Sequence, residues 1–192
     1  MEIDLSGRTA VIVGPRGDLH SAIGTLLQAN GAMLSTAVSE NELIRLTGLD
    51  VLVSIAVDTV EPAQIERLCR AAGERMTASG GRILNIVPVS GAIPIRGESR
   101  ASATAAAIVS LTKALALEFG ERGILVNALA VGAIGDDPLS GRLLSHVPLG
   151  RAGTIDEVVR AALFLVDPDN TYTTGHVMLV DGGWSAGYAR DF

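Results

Sequence analysis

The chain has 192 residues and only one cysteine, Cys69, which excludes an internal disulfide and fits a reducing compartment. Flanked by apolar residues at helical spacing, Cys69 is expected to be a buried, inert thiol. Aromatic residues are 3% and charged residues 19% against 48% hydrophobic, so disorder is excluded and the core has to be filled with small aliphatic side chains. Lys and Arg total 15 against 21 acidic residues, and the net charge of −6 leaves no basic surface to hold nucleic acid. The three histidines, His20, His146 and His176, are isolated from one another, so no metal site is expected. Residues 1–7 show neither the basic stretch nor the apolar run of a secretory leader. The longest apolar stretch, 101–117, is broken by Lys113 and reads as a buried helix rather than a membrane span. A cytoplasmic protein with no membrane or nucleic-acid partner is the expectation. Lysine occurs once, at Lys113, and tyrosine twice, at Tyr172 and Tyr188.

What is present is an alternation of two periodicities. Thr9–Val13 is a run of β-formers ending at Gly14, and Ser21–Asn30 follows with Ile23, Leu26 and Leu27 at helical spacing. Ala32–Val38 reads as a second strand, and Leu49–Val57 as a continuous apolar strand of the kind buried on both faces of a parallel sheet. Pro62–Ser79 and Ser99–Phe119 read as helices, with strands at Arg82–Val89 and Ile124–Ala130. Ile155–Val166 closes the helices and His176–Val180 the strands. Alternating β and α segments with short connections predict an α/β, Rossmann-like doubly wound parallel sheet, built as a single domain over 1–192.

The segments GRILNI, SLTKALALEFGERGILVNALAVGAI, PLGRAGTIDEVVRAALFLVDP and TTGHVMLVDGGW, spread over residues 81–184, resemble the short-chain dehydrogenase/reductase family. The first half matches less fully. Intervals before the Leu49 strand and between Val57 and Asn85 are shorter than the family's, so one βα unit and part of a helical region are expected to be missing. The family binds its dinucleotide on a T-G-x-x-x-G-x-G turn, where a helix N-terminus and closely approaching glycines receive the pyrophosphate. Here Gly14 matches the first glycine, whereas Asp18 and His20 stand at the second and third, and Val38 at the acid that holds the adenosine ribose. Asp18 brings a carboxylate toward a phosphate position and is expected to cap its own helix instead. On these positions the resemblance implies no bound cofactor, NAD being expected only on a partner.

Catalysis in the family uses a Tyr-x-x-x-Lys pair on one helix and a serine at the preceding strand end, the lysine lowering the tyrosine's pKa for proton exchange. Pro88 aligns with the serine, Ala101 with the tyrosine and Ala105 with the lysine. No register rescues the pair, because the residues four beyond the two tyrosines are His176 and Phe192. The GWSAG segment at 183–187 matches a hydrolase nucleophile turn, but that turn needs a helix after the serine and only five residues follow.

These absences imply a non-catalytic subunit, not an enzyme by itself, that assembles with an active NAD-dependent short-chain dehydrogenase as a hetero-oligomer, a tetramer in the family's manner. The two-subunit hydroxyacyl-CoA dehydrogenase for 2-[hydroxy(phenyl)methyl]succinyl-CoA in anaerobic toluene breakdown is an example of such an assembly. Candidate interface residues are Ala103, Ala107 and Ser110 on the long helix and Trp184, Tyr188 and Phe192 in the aromatic tail. A stand-alone ligand-binding module and an atypical oxidoreductase are the alternatives.

Overall fold

The computed structural model describes residues 3–35, 39–56, 60–76, 80–135 and 144–187. Its elements run β1 (Thr9–Val13), α1 (Asp18–Ala29), β2 (Met33–Ser35), a one-turn α2 (Glu40–Leu43), β3 (Val51–Ile55) and α3 (Pro62–Arg75). They continue with β4 (Gly81–Pro88), α4 (Ser99–Phe119), β5 (Ile124–Val131), α5 (Ile155–Val166) and β6 (Val177–Val180). The six strands form one parallel sheet in the order β2-β1-β3-β4-β5-β6. Parallel neighbours need crossover connections, and the crossovers cover both faces. On one face α1 and α5 pack with Ile12, Val53 and Ile86; on the other α3 and α4 pack with Val11, Leu52 and Val87. Adjacent residues of a strand thus serve opposite cores, which is why β3 is buried along its whole length.

Of the two short intervals expected in the first half, the one before the Leu49 strand lies between β2 and β3. The chain passes from Ser35 at the sheet edge to Val51 on the other side of β1, and among the described residues between them the one helix is the four-residue α2. β1 therefore lies at the point where strand order reverses, the position at which doubly wound sheets open a crevice at their carboxyl ends.

Element ends differ from the sequence reading where polar first turns hide the period. α1 begins at Asp18 rather than Ser21: its first turn carries a single apolar side chain, the half-buried Leu19, four residues before Ile23, between the polar Asp18, His20 and Ser21. α3 ends at Arg75 rather than Ser79, since Met76 is extended and bridges to Leu49; residues 77–79 lie outside the described residues. α4 keeps its expected bounds. Together with the turn that follows it is long and apolar enough to cross a membrane by length and composition. In the fold its Ala105, Ile108, Thr112, Leu115, Ala116 and Phe119 recur at helical spacing and pack against the sheet.

Between α4, α3 and the sheet sits a buried polar network. Asn85 Oδ1 accepts from Ser54 Oγ at 2.6 Å and from Cys69 Sγ at 3.6 Å, while Asn85 Nδ2 donates to Thr112 Oγ1 at 3.0 Å. Thr112 Oγ1 in turn donates to the Ile108 carbonyl at 2.9 Å, so each member is satisfied. Burial pushes the Cys69 thiol up to about 12, against a lesser pull from its bond to Asn85. The thiolate is the reactive form, so Cys69 is expected to resist iodoacetamide at pH 8 while the protein is folded and to react once urea unfolds it. Mass spectrometry of the time course checks this. Labelling of the folded protein at the rate of a free thiol would show that the helix opens freely.

Candidate functional site

Strand β1 ends in an exposed turn, Gly14 to Gly17, that leads directly into α1. Gly14 has φ +143°, and a Cβ there would lie 2.6 Å from the Ile55 carbonyl oxygen and 2.8 Å from the Ile55 Cβ. Only glycine lets the end of β1 approach β3 this closely. Gly17 is the residue at the helix entrance, with open space where a Cβ would stand, and no side chain caps the helix there. Among the described residues no side-chain acceptor meets the first N–H groups of α1. Asp18 lies inside the first turn and does not cap the helix by a hydrogen bond, which corrects the expectation from sequence. His20 is half-buried two residues on, and Arg16 is exposed on the turn. Val38 lies outside the described residues.

The next strand ends complete the edge. Ala56 follows Ile55, and Pro88 ends β4 before a 3-10 turn over Val89–Gly91 that carries the buried Ser90. A Cβ on Gly91 would meet the Ala105 backbone at 2.8 Å, so this turn clasps α4. The Ser102 hydroxyl holds the loop between them, accepting from Ile95 N–H at 3.2 Å. As a result the three positions singled out from sequence, Pro88, Ala101 and Ala105, come together and line one hollow with Ala56, Val60, Thr104 and Ile108. Among the described residues its lining side chains are apolar apart from Thr104. It adjoins the glycine turn, since Ala56 neighbours the Ile55 that Gly14 packs against.

A second cleft lies at the ends of β5 and β6, bounded by Ala133, Leu149, Leu179 and Gly182 and by the ion pair Arg151–Glu157. Its charges are already matched. Glu157 closes a capping box with Thr154 at the start of α5, and its bonds to the Arg151 guanidinium and the Thr154 N–H hold its carboxyl down at about 2. Asp181 accepts from the N–H groups of Gly183 and Ser185, both at 2.9 Å.

The family model described as enoyl-(acyl carrier protein) reductase matches residues 28–185. The 3-oxoacyl-[acyl-carrier-protein] reductase of Chlamydia muridarum is 38% identical over 138 residues, 68% of this chain and 55% of that protein. Its counterpart in Rickettsia bellii is 28% identical over 94% of this chain and 98% of its own length. A solved structure of a candidate NAD(P)-dependent gluconate 5-dehydrogenase from Beutenbergia cavernae, with bound NADP at low occupancy, superposes with a TM-score of 0.83 at 26% identity. It covers 96% of this chain and 99% of that one. The chain spans about half the length of most of the curated relatives it matches.

These likenesses overturn three expectations. Relatives named as reductases and dehydrogenases contradict a non-catalytic subunit and a chain that is no enzyme. The physical error lay in equating a lost acid with lost activity. A general acid contributes about 10²- to 10⁴-fold, a minority of the 10⁶-fold or more that enzymes reach. The expectation of no cofactor falls with the NADP-bound neighbour on the same fold. Aligning Asp18 and His20 with the second and third glycines left out Gly17, which stands at the helix entrance, where backbone N–H groups would face a pyrophosphate. The signal was present in the sequence as Gly14 and Gly17 three residues apart.

Proposed function

We propose that this chain, which belongs to the short-chain dehydrogenase/reductase superfamily, is an atypical oxidoreductase that binds a nicotinamide dinucleotide along the carboxyl edge of its sheet. The observation that carries the reading is the uncapped start of α1 beside the Gly14–Gly17 turn, with the hollow of Pro88, Ala101 and Ala105 next to it. When bound, the dinucleotide supplies or accepts hydride. The chain's own part is positional. The N–H groups of α1 and the open space at Gly17 would receive the pyrophosphate, with Arg16 available to a phosphate oxygen. Pro88, Ala101 and Ala105 offer no proton, so the substrate's proton exchanges with solvent at the open rim rather than with a tyrosine.

Asp18 weakens this site without abolishing it, because it is exposed and its charge acts through water. At about 4 Å in bulk water a unit charge pair corresponds to roughly a fivefold change in affinity. Titration with NADPH, followed by nicotinamide fluorescence, is therefore expected to show saturable binding that Asp18→Asn tightens about fivefold at low salt. Absence of binding in both proteins at millimolar NADPH would defeat the reading.

A second subunit of the same fold is the proposed partner, in the cytoplasm. Support comes from α4, which leaves Ala103, Ala106, Ala107 and Ser110 exposed on one side and Leu117 at 84% exposure. Trp184 is half-buried at the end of β6, while Tyr188 and Phe192 lie outside the described residues.

A further inference from the structure

We draw no further inference here: the strongest candidate, the cleft at the ends of β5 and β6 between Leu149 and Leu179, carries nothing, because its charged groups Arg151, Glu157 and Asp181 are already bonded within the chain and nothing in the structure shows what covers its apolar wall.

Discussion

Ala101→Tyr combined with Ala105→Lys is expected to raise NADPH-dependent turnover by about 10²-fold or more, the range a positioned general acid supplies. The two positions are four residues apart on α4, one turn along the same face, and both line the hollow. A tyrosine at 101 starts from a half-exposed site and has room to project toward the rim. A lysine at 105 starts from a buried one, beside the Gly91 turn, so its long stem has to run along the hollow before its ammonium meets solvent or cofactor. There its charge favours the ionised tyrosine and brings the phenol closer to neutral pH. The assay is NADPH oxidation with a 3-oxoacyl thioester, the substrate type in the name of the chlamydial relative. Ala101→Tyr alone should give the smaller gain, because its pKa stays near that of free tyrosine. Retained NADPH binding with no gain in the double variant would show that the hollow does not face the reacting carbon.

The largest effect on stability is expected at Asn85, which is fully buried at the centre of the sheet. Asn85→Ala removes the acceptor of the Ser54 and Cys69 protons and the donor to Thr112 in one step. Ser54 and Thr112 are themselves at 0% exposure, so neither can turn to water. An unsatisfied buried group costs about 1–3 kcal/mol, and the cavity left by the amide adds to it. The sum, about 3–5 kcal/mol, is a large part of the roughly 5–15 kcal/mol that holds a domain together. Urea denaturation should show a lower midpoint with an unchanged slope. A loss below about 1 kcal/mol would mean that the network relaxes onto other partners, and Ser54→Ala with Asn85→Ala then distinguishes repacking from a bond that never mattered.

The apolar runs of β3 and β5 fix that those strands are buried on both faces, which by itself implies a parallel sheet with helices above and below. The exact bounds of α4 and α5 were legible for the same reason: strong periodicity, then Gly120 after one helix and the Thr154–Glu157 pair before the other. The absence of a Tyr-x-x-x-Lys pair is likewise a property of the residues alone. Tertiary structure decided the rest. Helical spacing marks Ala101 and Ala105 as neighbours, but nothing local says that Pro88 and Ala56, from two strands, meet them across the carboxyl edge. Nor could the sequence tell that Gly14 answers to the Ile55 carbonyl while Gly17 leaves the start of α1 open, since both are glycines in one short turn. Side-chain identity is local, whereas a binding edge is made by backbone brought together from segments far apart in sequence. Only the order of strands in the sheet determines which segments those are.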